Sequence, residues 1–226
     1  GKDMAFLKFI TGSIGIILRG RLGYKLWVGF LLALVGVGAV AYVRQLEHGL
    51  ILTGMRDQVS WGFYIGNFTF LVGVAAAAVV LVIPAYVYHW KPIKEIVIMG
   101  EILAVCAITM CILFVSADLG RPQAMWHLIP FVGRLNWPTS LLSWDVIVLS
   151  FYFLLNFVVV AYILACLFMG REYNAKLLYP LVILSIPAAI SIHTVTAFIY
   201  NVMPARPYWN ASILVPRFLA SAMCSG

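Results

Sequence analysis

The sequence predicts an all-α integral membrane protein: a multi-span helical bundle of five complete transmembrane helices and the start of a sixth, preceded by an interfacial N-terminal helix. Composition is the first observation. The 226 residues are 64% apolar and 10% charged, whereas an ordinary soluble domain is about 45–50% apolar and about 25% charged. A soluble globule has too little interior to hide so much apolar surface. The second observation is that the apolar residues form runs of about 20, the length that crosses a bilayer.

The apolar runs set the order of the elements. Residues 1–25 are apolar but interrupted by basic residues, which predicts a cytoplasmic or interfacial amphipathic segment before a bundle over 26–226. The predicted spans are 26–43, 61–88, 96–117, 146–169 and 177–200. Pro84 is expected to kink the second span or mark its membrane boundary. A further apolar run near 211–226 is interpreted as the opening of another span, so we expect the natural sequence to continue.

Basic residues predict the orientation. Nine lie on the side of the N-terminus: Lys2, Lys8, Arg19, Arg21, Lys25, Lys91, Lys94, Arg171 and Lys176. Five lie in the longer loops of the other side: Arg44, Arg56, Arg121, Arg134 and Arg206. The positive-inside rule therefore places the N-terminus in the cytoplasm, as expected for a multi-pass protein of a prokaryotic inner membrane. The net charge of +7 reflects these loops, and no nucleic-acid partner is expected.

The spacing of the cysteines and histidines indicates whether this protein binds a metal ion or a haem. The four cysteines, Cys106, Cys111, Cys166 and Cys224, have no C-x-x-C spacing, so neither an iron–sulfur cluster nor a structural zinc is expected. His193 lies within an apolar run, whereas His48, His89 and His127 lie in or beside loops. A b-type haem needs paired axial ligands inside the bundle. We therefore predict no metal, haem or iron–sulfur cluster in this protein.

Polar side chains from four spans are predicted to share one depth near the outer face. Asn67 and His193 each lie about 10 Å below the outer end of their spans at the helical rise. Asp118 closes the third span and Asp145 opens the fourth. Polar groups inside a bilayer are costly, so their convergence indicates a site.

The same residues fall into stripes along the helix faces. The stripes are Ser60, Tyr64 and Asn67; Asp145, Tyr152 and Asn156; and His193, Thr196 and Tyr200. The apolar Leu149 interrupts the second stripe. Helix–helix hydrogen bonds that hold the bundle together are the simpler explanation for any one of these groups. An aspartate and a histidine in one layer favour a binding site.

Glu101 stands apart from this layer. It lies about 8 Å inside the inner end of its span, where a charged carboxylate is costly. We expect it to be neutral, paired or facing water, and it is a candidate for a proton path. It lies about 100° around the helix from Asp118, so a path along one face of the helix is not expected.

Three strings of the sequence resemble the NrfD/PsrC family of membrane quinone-interacting subunits. They are DQVSWGFYIGNFTFLVG over 57–73, DLGRP over 118–122 and SIHTVTAF over 191–198. The strings WN at 209–210 and PRFLASA over 216–222 resemble the DsrP/HmcC branch, from sulfur-metabolising prokaryotes. The resemblance extends from about Gly49 onward.

The resemblance implies a function and partners. Members of the family exchange electrons between menaquinone or ubiquinone, bound as a substrate, and a ferredoxin-like iron–sulfur subunit docked on the outer face. The subunit itself binds no haem or cluster. The DsrP branch further implies a b-haem subunit, a multihaem c-type cytochrome and a heterodisulfide-reductase-like subunit, in sulfur or sulfate metabolism.

The resemblance also implies site residues, in a quinone pocket near the outer side of the first four-helix bundle. Trp61, Tyr64 and Asn67 would line it, with Asp118 and His193 as catalytic polar partners of the quinone oxygens. The polar layer described above adds further candidate binding residues: Asp145, Tyr152 and Thr196.

These residue types suit quinone chemistry. Histidine exchanges protons near neutral pH, a carboxyl in an apolar site can stay protonated and donate, and an aromatic ring such as Trp61 can stack on a flat headgroup. Arg121 is expected to pair with Asp118 rather than with quinone, and Pro122 to end the helix.

Two other functions remain open from the sequence. The protein could be a non-catalytic membrane anchor of such a complex, with the polar layer only tying helices together. It could also be a secondary transporter, although no internal repeat of the kind found in many transporters is evident.

Overall fold

The computed structural model describes residues 2–59, 61–88, 90–129 and 132–225. Seven α-helices occupy these ranges: α1 (Lys2–Leu18), α2 (Leu22–His48), α3 (Phe63–Val82), α4 (Lys91–Asp118), α5 (Leu141–Phe168), α6 (Ala175–Asn201) and α7 (Leu214–Ser225). No strand occurs in the described ranges, apart from a single bridge between Arg56 and Val59. The predicted all-α class is confirmed. Two residues named above, Ser60 and His89, lie outside the described residues.

Five helices, α2 to α6, are long and apolar enough to cross a membrane. They correspond one to one with the predicted spans; four of the helices are longer than predicted, whereas α3 is shorter than the predicted span 61–88. For example, α5 begins at Leu141, five residues before the predicted start, so Asp145 lies inside the helix. Hydropathy marks only the stretch that avoids polar groups, whereas backbone hydrogen bonding continues through polar residues at the helix ends.

Prolines affect the helices differently. At Pro84, α3 gives way to a π-helical turn over Ile83–Val87, consistent with the loss of a backbone donor at that position. By contrast, α6 contains both Pro180 and Pro187 and remains helical throughout. Neighbouring helices in a membrane bundle make such prolines tolerable.

The protein divides into two compact units, Gly1–Ser60 with Ile163–Tyr173 and Trp61–Tyr162 with Asn174–Gly226. In the first unit, the ring of Phe9 on α1 meets that of Phe168 edge to face, with centroids 5.4 Å apart. None of the residues in the most apolar stretch of α2 is buried, so this surface is suited to contact with lipid. The placement of residues 1–25 at the membrane surface remains a prediction.

In the second unit, α3 is the central helix, and it packs against α4, α6 and α7. Four consecutive alanines, Ala75–Ala78, are buried on it. Small residues let neighbouring helix backbones approach closely, and the resulting van der Waals packing is one source of association between helices in a bilayer. Beside them, the fully buried Tyr152 of α5 donates its hydroxyl to the Ala75 carbonyl at 2.9 Å.

We expect Tyr152→Phe to lower the stability of the purified protein by about 0.5–1.5 kcal/mol, because it removes one hydrogen bond between α3 and α5. The thermal unfolding midpoint in lipid nanodiscs measures the effect. Tyr179→Phe is the matched control, since Tyr179 is exposed on α6. Equal midpoints for the two variants would contradict a structural role for the Tyr152 hydroxyl.

Candidate functional site

Four helices of the second unit converge at one end, where the segments 119–140 and 202–213 also lie; we call it the long-loop end. The start of α3 meets the end of α4 through Cys111, whose thiol donates to the Phe68 carbonyl at 3.6 Å. It meets the end of α6 through a hydrogen bond between Thr69 and the Tyr200 hydroxyl. The start of α5 meets α6 where Thr196 donates to Asp145 at 3.2 Å.

A cavity of about 730 Å³ opens between α3, α6 and α7. We call it the α3–α6–α7 cavity. Besides the polar side chains of α3 and α6, its wall includes Arg217, Ser221 and Cys224 of α7, and the rest is mainly apolar. The α3 and α6 part of the wall consists of Gly66, Thr69, Phe70, Val72, Gly73, His193, Thr196 and Tyr200. Its volume lies within the range of small-molecule sites.

Aromatic rings surround Tyr200 at the edge of this cavity. The Tyr200 ring meets those of Trp61, Trp209 and Phe218 edge to face, at centroid distances of 5.1, 5.1 and 5.5 Å. Trp61 and Trp209 are themselves stacked at 5.9 Å. Such edge and stacked contacts hold the rings in fixed orientations. Trp61 thereby supports two wall residues, Tyr200 and Trp209.

His193 and Thr196 lie one helical turn apart on α6, and both line the α3–α6–α7 cavity. Both are buried, with 5% and 1% of their surfaces exposed. The Nδ1 atom of His193 is buried and has no hydrogen-bond partner within the described part of the protein. An unpaired buried polar atom costs about 1–3 kcal/mol. In a cavity wall, such an atom is a candidate hydrogen-bonding contact for a ligand.

Asp145, which accepts the hydrogen bond from Thr196, is only 2% exposed. It lines a different cavity of about 580 Å³, which we call the α4–α5 cavity; the 3₁₀ helix Pro122–Leu128 forms part of its wall. The hydrogen bond from Thr196 to Asp145 therefore joins a wall residue of one cavity to a wall residue of the other.

Removing the Thr196 hydroxyl should destabilise this junction. We expect Thr196→Val to cost about 1–3 kcal/mol, since the shape is kept and the buried Asp145 loses its donor. Thr109→Val is the control, because the exposed Thr109 bonds to Val105 of its own helix. Denaturation of the two variants in matched nanodiscs measures the difference. A Thr196→Val variant as stable as the control would show that the bond contributes nothing.

Asp118 is the last residue of α4. One of its carboxylate oxygens is buried and has no hydrogen-bond partner among the described residues, and the carboxyl is close enough to Tyr200 for an electrostatic interaction. It is not among the residues that line either cavity. The expected ion pair with Arg121 does not form, although the structure describes both residues. The helix ends at Asp118, and Arg121 is exposed on the following loop.

Three other predicted site residues make contacts within the bundle. The Asn67 amide donates to the Phe63 carbonyl on its own helix at 2.8 Å. The Tyr64 ring lies 6.3 Å from that of Phe114 on α4, and the Tyr152 hydroxyl is bonded to α3. None of the three is among the lining residues of the α3–α6–α7 cavity.

Glu101 lies deeper in the bundle and is 3% exposed. One of its carboxylate oxygens has no hydrogen-bond partner in the ranges that the structure describes, and the carboxyl interacts electrostatically with Tyr152. It lines neither cavity. This buried carboxyl is therefore not part of the site at the long-loop end.

Sequence reasoning missed Gly66 and Thr69 as wall residues. A side chain added at Gly66 would meet no atom within 4 Å, so this glycine leaves space in the α3–α6–α7 cavity. A glycine inside a helix costs about 1 kcal/mol relative to alanine. The pair Gly66 and Gly73, seven residues apart on one face of α3, was the available signal.

These features define a multi-pass helical membrane protein with an open cavity between two membrane-length helices, α3 and α6, and the shorter α7. The protein belongs to the NrfD family: the family model described as "Polysulphide reductase, NrfD" matches residues 51–226. The resemblance to the NrfD/PsrC family, drawn from the motif strings, is thereby confirmed.

Three relatives illustrate the family. A putative dimethyl sulfoxide reductase membrane subunit of Halobacterium salinarum is 30% identical over 96% of the present sequence and 51% of its own length. An Hdr-like menaquinol oxidoreductase integral membrane subunit of Archaeoglobus fulgidus is 26% identical over 90% of the present sequence and 48% of its own length. One of the polypeptides of the polysulfide reductase of Wolinella succinogenes is 27% identical over 75% of the present sequence and 56% of its own length. The present sequence thus spans about half the length of these relatives.

Proposed function

We propose that this protein is the membrane subunit of a respiratory electron-transfer complex, and that it binds menaquinone or ubiquinone in the α3–α6–α7 cavity. The observation that carries the proposal is the unpaired ring nitrogen of His193 in the wall of that cavity. The names of two relatives, a menaquinol oxidoreductase subunit and a menaquinone reductase subunit, support the same substrate class.

The cavity fits a quinone headgroup in size and chemistry. Its volume of about 730 Å³ suits a ring system with part of an apolar tail. The ring of Tyr200, held in place by Trp61 and Trp209, provides aromatic surface for a flat ring. A wall that combines polar side chains with a larger apolar surface suits a molecule with a polar head and a lipid-like tail.

The polar residues of the site have different hydrogen-bonding roles. A bound quinone takes up two electrons and two protons on reduction. His193 can donate or accept a hydrogen bond at its unpaired Nδ1, depending on the tautomer of the ring. Thr196 uses its hydrogen on Asp145, so its oxygen retains acceptor capacity. Asp145 therefore acts as a positioning residue that fixes the orientation of the Thr196 hydroxyl.

Asp118 is proposed as the proton-exchanging group at the long-loop end. Its unpaired carboxylate oxygen and its interaction with Tyr200 support a role beside the cavity. Tyr64, Asn67 and Tyr152 would then shape the surrounding helices rather than touch the headgroup. Glu101 remains a candidate for a proton path from the opposite side, through the neighbourhood of Tyr152.

Orientation and partners follow from the loop charges and the family. The N-terminus would lie in the cytoplasm and the long-loop end at the outer face of a prokaryotic inner membrane. A ferredoxin-like iron–sulfur subunit would dock there and exchange electrons with the quinone. We extend the proposal to a DsrP-type assembly in sulfur metabolism, with b-haem, multihaem cytochrome c and heterodisulfide-reductase-like subunits.

Isolation of the intact complex tests this proposal. We expect its lipid extract to contain quinone, and a density map to show a headgroup beside His193. A complex without quinone, or with its headgroup in another subunit only, would contradict the proposal and favour a non-catalytic anchor. Uptake of a polar solute by liposomes that contain the complex would favour a transporter instead.

A further inference from the structure

Most exposed basic side chains of the first unit lie on α1 or beside it. Four are exposed on α1, on the turn 19–21 and on the first turn of α2: Lys8, Arg19, Arg21 and Lys25. A fifth, Arg171, is exposed shortly after the end of α5. Among the side chains described in 8–25 and 163–173, Glu172 is the only carboxylate. We call this region the basic end of the first unit.

The end of α5 packs directly against α1 in this unit. The ring of Phe168 meets that of Phe9 edge to face, and it covers Gly12, where an added Cβ would lie 2.5 Å from the ring. The chain then turns at Gly170, whose φ of 64° is left-handed. The amides of Gly170 and Arg171 bond to carbonyls of the last helical turn at 3.1 and 2.9 Å, as in a Schellman motif. This ending places Arg171 at the same end of the unit as α1.

The length of α2 places the basic end at the depth of lipid headgroups. The helix has 27 residues and is therefore about 40 Å long, whereas the hydrocarbon layer of a bilayer is about 30 Å thick. None of the residues in its most apolar stretch is buried, so lipid can surround this helix within the unit. Arg21 and Lys25, at its start, therefore lie where lipid phosphates lie.

One face of α1 is apolar and exposed. Ile10, Ile14 and Ile17 follow one another at helical spacing and are 38%, 51% and 58% exposed. Phe9 and Gly12, which contact Phe168, lie on another side of the helix. An exposed apolar face next to basic side chains is typical of a helix that lies in the membrane interface.

The opposite end of α2 has a different charge balance. Two basic residues, Arg44 and Arg56, are exposed there, but so are two acidic residues, Glu47 and Asp57. The charges of these four side chains cancel, whereas at the basic end five cations face one described carboxylate. The positive charge is therefore a property of one end of the unit, and an anionic occupant complements it.

We propose that the basic end of the first unit is a binding site for anionic phospholipids. Their phosphates lie at the turn 19–21 and at Arg171, and their acyl chains lie against the isoleucine face of α1. A zwitterionic lipid would fill the apolar surface but would leave the excess positive charge uncompensated. This inference is independent of the proposed function, because it uses no residue of the α3–α6–α7 cavity.

Selective retention of phosphatidylglycerol tests the site. The intact complex is reconstituted in nanodiscs of equimolar phosphatidylglycerol and phosphatidylcholine, and native mass spectrometry counts the lipids that stay bound on release. We expect the double variant Arg19→Gln with Arg21→Gln to lower the ratio of bound phosphatidylglycerol to phosphatidylcholine about tenfold, because each basic residue near the surface strengthens anionic lipid binding severalfold. Both arginines are exposed, so the fold should persist.

The matched control is the double variant Arg44→Gln with Arg56→Gln, which removes the same charge from the opposite end of α2. Its lipid ratio should stay within about twofold of the wild type, because the neighbouring acidic residues already offset these arginines. Equal losses in the two double variants would mean that any surface arginine serves, and the proposed site would be wrong. No loss in the first variant would refute it as well.

A pair of glycine variants tests whether α1 itself forms the site. Gly12→Leu forces the Phe168 ring away and should loosen α1 from α5, whereas a side chain added at Gly15 meets no atom within 4 Å. We expect Gly12→Leu to lower the ratio of bound phosphatidylglycerol to phosphatidylcholine at least threefold relative to Gly15→Leu. The same ratio in both variants would show that the docked position of α1 plays no part in lipid binding.

Discussion

Replacement of His193 by alanine is expected to lower quinone-coupled electron transfer by about a hundredfold to ten-thousandfold, the range over which general acid–base groups contribute. His193 lines the α3–α6–α7 cavity and has an unpaired ring nitrogen, so its loss removes a proton-exchanging group from the proposed headgroup site. The assay follows oxidation of a short-tailed quinol by the purified complex.

The control for this experiment is Thr194→Val on the same helix. Thr194 donates to the Ile190 carbonyl of its own helix and lines neither cavity, so activity should remain that of the wild type. Gel filtration shows whether all subunits stay together. Full activity in an assembled His193→Ala complex would refute the site. Loss of assembly in this variant alone would point to the anchor function.

Gly66→Leu is expected to raise the KM for quinol at least tenfold, because a leucine side chain would occupy the space that Gly66 leaves open in the cavity. Tenfold corresponds to about 1.4 kcal/mol of binding free energy. Leucine is a better helix former than glycine, so α3 should remain intact. The KM and kcat of the purified complex, measured with the same quinol, give the effect.

Gly29→Leu is the matched control for this substitution. Gly29 lies on α2, and a side chain added there also meets no atom within 4 Å. Both variants therefore insert the same side chain into open space, but Gly29 is not among the residues that line the cavity. An unchanged KM in Gly66→Leu would show that quinol does not bind between α3, α6 and α7.

The sequence predicted the helices more accurately than it predicted which residues line the cavity. Helical spacing correctly placed His193 and Thr196 on one face of α6, and both line the same cavity. It also grouped Tyr64 and Asn67 on α3, but the structure directs Asn67 to its own backbone and Tyr64 toward α4. A periodicity tells which residues share a face, but it carries no information on which helix that face meets.

The sequence by itself determined the five membrane-length helices, their order and the family. Each of these depends on local runs of side chains, and an apolar run of about 20 residues has few alternatives to a helix in a bilayer. Only the tertiary structure decided that Thr196 bonds to Asp145 across 51 positions, and that these two residues line separate cavities. Contacts of this kind depend on the packing of several helices at once, and buried small residues such as Ala75 and Ala76 allow those helices to approach closely.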